Sequence, residues 1–197
     1  MGNILQDILS SLRIPRIWFS TSEFLTGSSA DNIRELPWTE FVGVLDKIDD
    51  WIRILNPLRE ELGYPIIVTD SVRIGIGTSQ HLFQYSKGAC DVRVPRGKNY
   101  AIRLIALADK LAECDDINRI CFNPPGDLFP NAGFHIDRKL AGKHYYISNR
   151  DKAVWHNVSH ADFRNEISET MKITGTELNL QKEVEAATNH LGELLPR

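Results

Sequence analysis

Apolar residues recur at helical spacing in several stretches of the chain. Leu5, Ile8, Leu9 and Leu12 share one stripe, so residues 3–12 read as a short amphipathic arm that docks on its own domain or on a partner. Pro15 ends the arm, and the run from Thr26 to Asn32 has the composition of a loop. Phe41, Val44, Leu45, Ile48, Trp51, Ile52 and Leu55 predict a long helix, and Pro57 is expected to kink or break it before Leu58–Leu62. Tyr100, Leu104, Leu107 and Leu111 place another helix over Tyr100–Glu113. Between these helices the pattern shortens to strands. Tyr64–Thr69, with Ile66, Ile67 and Val68 at its centre, is one, and Ala89–Val94, Ile117–Phe122, Gly133–Asp137 and His144–Ser148 are four more. From about Ala161 the pattern is helical again, with Leu180, Val184, Ala187, Leu191 and Leu194 spaced like a packing seam. The expectation is an α+β fold: a small antiparallel sheet packed with helices, with helical extensions at both ends. Residues 1–16 form the arm, 17–150 the central domain and 151–197 the C-terminal helical extension.

Composition narrows the function classes. At 197 residues the chain has the size of one ordinary domain with extensions, and its 42% apolar and 25% charged residues suit a folded, soluble protein. Lys plus Arg number 23 against 26 Asp plus Glu, a net charge of -3, so no whole-surface attraction to phosphate backbones is expected and nucleic acid is a poor partner. No run reaches the roughly 18 apolar residues of a membrane span. The first residues lack the basic and apolar regions of a signal peptide, which implies synthesis in the cytoplasm. Gly2 is followed by Gln6 where a myristoylation motif has Ser or Thr. Cys90, Cys114 and Cys121 are odd in number and without CxxC spacing, so free thiols are expected.

Three residues stand out for chemistry. His81 falls in a turn before a strand, Asp91 in that strand, and His135 in the later strand Gly133-Phe134-His135-Ile136-Asp137. Two imidazoles and one carboxylate from adjacent strands can make a tetrahedral zinc site that keeps a fourth position for water. A carboxylate in an apolar strand needs a metal, an arginine or a helix N-terminus, because burying it alone costs several kcal/mol (about 3–5 once its partner is gone). The same residues can also be hydrogen-bonded or exposed without a metal, and His135 can be a satisfied core histidine. Other patterns carry less. Gly75 and Gly77 lack the third glycine of a dinucleotide loop, Gln80 standing in its place. His156 and His160 are four apart as on a metalloprotease helix, but Asn157 occupies the glutamate position, and a solvated or partner-facing pair is expected.

The stretch Pro57-Leu58-Arg59-Glu60-Glu61-Leu62-Gly63-Tyr64-Pro65-Ile66-Ile67-Val68-Thr69-Asp70-Ser71-Val72-Arg73, followed by Ser79-Gln80-His81 and Gly88-Ala89-Cys90-Asp91, resembles the M15 zinc peptidases, of the D-Ala-D-Ala carboxypeptidase and phage endolysin type. Phe19-Ser20-Thr21-Ser22-Glu23-Phe24 is similar to the opening of M15_3-like proteins, and the likeness spans roughly residues 17–148. The resemblance implies that 17–150 is an M15-like peptidase domain whose sheet carries a Zn2+ ion on His81, Asp91 and His135. It implies that Arg73 holds a substrate carboxylate or polarises the scissile carbonyl, and that Ser79 supports the site or contacts substrate. Arg73 can equally pair with Asp70 or Glu60 at the surface. The implied reaction is hydrolysis of an amide bond in peptidoglycan stem peptides, by a protein of a phage or bacterium that reaches the wall on release or inside a virion. The chain departs from the pattern twice. Ten residues separate His81 from Asp91, more than the signature has, and Ala132 stands where many members keep an acidic general base. Asp127, Asp137 and His144 are the replacements available, and Asp137 can instead orient His135. The alternative is an inactive M15-like structural or binding protein that self-associates through its terminal helices.

Overall fold

The structure is a computed structural model that describes residues 19–25, 33, 36–73, 81, 88–97, 99–125, 131–139, 141–149 and 154–171. The N-terminal arm, the loop 26–32, Ser79, Asp127 and the leucine seam beyond residue 171 lie outside the described residues. Among those described, the fold is α+β, with four helices and a six-stranded, mostly antiparallel sheet. The helices are α1 (Thr21–Phe24), α2 (Trp38–Leu62), α3 (Tyr100–Glu113) and α4 (His160–Thr170). The strands are β1 (Ile67–Asp70), β2 (Ala89–Arg93), β3 (Arg119–Asn123), β4 (Gly133–Asp137), β5 (His144–Ser148) and β6 (Trp155–Val158), in the order β1-β2-β4-β3-β5-β6. The chain divides into two compact units, Met1–Cys90 and Asp91–Arg197.

In the first unit α2 buries Val44, Ile48, Trp51, Ile54, Leu55 and Leu58, the stripe its periodicity predicts. Pro57 does not break this helix, which runs on to Leu62. Proline forfeits one backbone bond, and the burial of Leu58 and Arg59 beyond it holds the last turn in place. Gly63 then ends the helix at φ 67, a left-handed conformation that glycine adopts without strain. Arg59 ties the unit together from inside. It is 5% exposed, and its guanidinium donates to Glu23 Oε2 at 2.8 Å and to the Ile66 carbonyl at 2.8 Å while lying 3.7 Å from the centre of the Phe19 ring. One buried cation thus links α1, α2 and the approach to β1.

In the second unit the observed helix α3 and strands β4 and β5 have the bounds expected from sequence. The sheet departs from the all-antiparallel expectation at its centre, where β3 pairs antiparallel with β4 but parallel with β5. The C-terminal region, expected to be helical from residue 151, first adds the strand β6, antiparallel to β5. Register then sorts the side chains by face. Phe134, Ile136, Ile120 and Phe122 point one way, toward α4, where Phe134 and Tyr145 meet the buried ring of Phe163. Arg119, Cys121, His135, Asp137, Tyr146 and Trp155 lie on the opposite face. Cys90 and Cys121 are buried and Cys114 half-buried.

Candidate metal centre

His81 is placed by the segment that follows β1. The Arg73 backbone N–H donates to the His81 carbonyl at 2.7 Å, and the His81 ring meets the Ser71 carbonyl through Nδ1 at 2.7 Å. Ser71 is itself buried and donates its hydroxyl to the Phe24 carbonyl at 2.6 Å. With Nδ1 protonated and committed to a carbonyl, Nε2 is the nitrogen that can ligate.

His135 is placed by β4 and held from both sides. Its Nδ1 lies 2.8 Å from Asp91 Oδ1 and its Nε2 lies 3.1 Å from Asp137 Oδ2. Asp137, two residues along the same strand, projects to the same face, as the two-residue repeat of a strand requires. It is fully buried, and it accepts from Arg119 Nε at 2.6 Å and from the Lys139 backbone N–H at 3.0 Å. Arg119 reaches it because β3 and β4 pair Arg119 with Asp137 in register. The indole of Trp155 closes this cluster, 4.7 Å from the His135 ring and 4.9 Å from the Arg119 guanidinium carbon.

The electrostatics follow from these partners. Burial works to lower the His135 pKa, but the hydrogen bonds and charges of Asp137 and Asp91 outweigh it and hold the imidazole above its ordinary value. Burial pushes the Asp137 carboxyl up, and the bonds from His135, Lys139 and Arg119 overcome it and keep the group below the usual carboxylate range. Asp137 is therefore a fixed anion that orients an imidazole, with both oxygens engaged. That geometry favours the orienting role over that of a general base.

His81, Asp91 and His135 each offer one ligand atom, and these atoms all lie within 4.8 Å of one another. The group is able to hold a metal ion. The donor set fits one: a ring nitrogen from each histidine, each opposite nitrogen held by an acceptor, and a carboxylate that is only partly buried. Each second partner, the Ser71 carbonyl for His81 and the Asp137 carboxylate for His135, fixes the tautomer and the ring plane.

The remaining expectations fall in different places. Arg73 pairs with Asp70, Nε to Oδ2 at 2.7 Å, with its side chain 43% exposed. This is the surface pairing left open by the sequence. Ala132 is buried, and Tyr100 donates its hydroxyl to the Ala132 carbonyl at 3.0 Å. His144 binds the Ala141 carbonyl through Nε2 at 3.0 Å. His156 is an exposed strand residue, whereas His160 begins α4 and stacks on Tyr145 with ring centres 4.7 Å apart, so the two do not share a helix. Arg119 and Trp155 were not singled out by sequence. Comparison of the chain with protein-family models, with curated proteins and with solved structures found no match.

Proposed function

We propose that the protein is a zinc-dependent peptidase that hydrolyses an amide bond in peptidoglycan stem peptides, as the resemblance to M15 peptidases implies. The observation that carries this reading is the convergence of His81, Asp91 and His135, with each imidazole oriented through its other nitrogen. A zinc ion, when bound, supplies Lewis acidity toward water and toward a carbonyl oxygen. The chain's own residues supply the rest. Asp137 and Arg119 hold His135 in one tautomer and one plane, Ser71 does the same for His81, and the Trp155 indole packs against the His135 ring.

One observation favours a second reading, a metal-binding scaffold without turnover. Ala132 brings no acid to the expected position, and Asp137 has both oxygens engaged. The two readings separate in one experiment. Purified cell wall is incubated with the zinc-loaded protein, and released peptides are followed by mass spectrometry with and without a chelator. Chelator-sensitive release supports the peptidase. An untouched wall across pH and metal, with zinc bound, leaves the scaffold. Among the described residues no helix is long and apolar enough to cross a membrane, and peptidoglycan peptides are the proposed partner.

A further inference from the structure

Helix α2 carries two apolar stripes, and the core uses one of them. Val44, Ile48, Trp51, Leu55 and Leu58 are buried. About a quarter of a turn away, Trp38, Phe41, Val42, Leu45 and Ile52 form a second stripe that reaches the surface. Trp38 is 74% and Val42 37% exposed, the other three are half-buried, and the Trp38 and Phe41 rings meet at 5.9 Å between centres. Single exposed apolar residues are ordinary. A row of them at i, i+3, i+4 and i+7 has the spacing of a helix–helix seam.

The N-terminal arm, which lies outside the described residues, has the same spacing in its sequence. Leu5, Ile8, Leu9 and Leu12 repeat the intervals of Trp38, Phe41, Val42 and Leu45. Arm and α2 both belong to the first unit. A segment this short does not hold a helix in water by itself, so its apolar stripe needs a surface. The chain delivers it to α2. Phe19 is buried, its backbone N–H donates to Asn56 Oδ1 at 2.8 Å, and Asn56 falls on the line of the second stripe, about one turn beyond Ile52. Back along the helix axis from Asn56, Leu45 is about 16 Å away and Trp38 about 27 Å. Residues 13–18 reach up to about 20 Å when extended, enough to bring Leu12 level with Leu45. Leu5 to Leu12 then covers the same length of about 10 Å as Trp38 to Leu45. Charge agrees with this path, because Arg16 leaves the Phe19 anchor toward Asp49, a carboxylate on the same stripe whose side chain is 68% exposed. The loop from Thr26 to Asn32, by contrast, offers no apolar side chain larger than that of Ala30.

We propose that residues 3–12 form a helix that docks antiparallel on the Trp38–Leu45 stripe of their own chain. A link this short holds the arm at a local concentration of roughly millimolar order, so at micromolar protein the chain's own arm outcompetes a second copy. The docking needs neither a metal nor turnover.

The test uses the full chain at low and high micromolar concentration, with deuterium exchange followed by mass spectrometry and oligomeric state by sedimentation. Amides of residues 3–12 should exchange about tenfold or more slowly than in the isolated arm peptide, at both concentrations and in a monomer. Val42→Asp and Leu9→Asp should each abolish that difference, and Leu9→Asp should also raise the oxidation of Trp38 by hydroxyl radicals. Val42 is exposed, so its substitution leaves the core intact, and circular dichroism with the thermal midpoint checks that both variants are folded. Arm amides that exchange at the peptide's rate in wild type, or protection that survives both substitutions, overturn the proposal. Protection that appears only as a dimer forms assigns the stripe to a second copy and overturns it as well.

Discussion

Wild-type protein supplied with zinc should retain one ion per chain, and the variants His81→Ala, Asp91→Ala and His135→Ala should retain none. Each ligand atom lies within 4.8 Å of the other two, so removing one leaves a two-donor set that cannot hold zinc against buffer. Elemental analysis after gel filtration reads the result directly. The more discriminating variant is Asp137→Asn, which keeps the shape but loses the charge that orients His135. Its metal affinity should fall about 10–100-fold, the usual cost of losing the carboxylate behind a ligating histidine. Asp137→Ala adds a stability loss of about 3–5 kcal/mol, because Arg119, whose side chain is 13% exposed, is left without its anion. Wild type that takes up no zinc, or an Asp137→Asn variant with wild-type affinity, would refute the metal centre as described.

Phe134→Ala should destabilise the protein by about 3–5 kcal/mol in denaturant titrations. Phe134 is 1% exposed and packs against Phe122 at 5.7 Å and Phe163 at 6.2 Å between ring centres. Deleting the ring opens a cavity where β4 meets α4, on the side of the sheet away from His135. Such a loss is a large share of the about 5–15 kcal/mol that holds a typical domain. Phe163→Ala should cost a similar amount, and because the rings touch, the double variant should deviate from additivity by about 0.5 kcal/mol or more. Strict additivity would show that the two rings do not share a packed contact.

How much of this was legible depends on how local each signal is. Helix α3 has leucines at uninterrupted helical spacing, and β4 and β5 are short runs bounded by turn residues, so each was readable from its own stretch. Asp137 as the partner of His135 was also within reach, since two residues along one strand share a face. Arg119 was not, because it meets Asp137 through a strand register that no local pattern encodes. The strand Trp155–Val158 was missed because its centre, His156-Asn157, is polar and exposed, as suits an edge strand that buries little. Pro57 misled for the opposite reason: tertiary burial of the next turn overrode a local penalty.

The placement of β3 between two strands that follow it in the chain has a consequence for how the molecule opens. β4 ends beside Arg119 on one side and β5 begins beside it on the other, so the chain between Asp137 and His144 joins the two strands that flank the start of β3. The Lys143 ammonium pins that connection to the carbonyls of Leu111, Cys114 and Ile117. Releasing β3 therefore means parting two ladders and the pin together, a cooperative event rather than fraying. Its inward amides should be among the slowest in the chain to exchange with deuterium, while those of β6 exchange sooner. The bond from Arg119 through Asp137 to His135 lies inside this slow core, so transient opening at the sheet's edge leaves the orientation of that imidazole undisturbed.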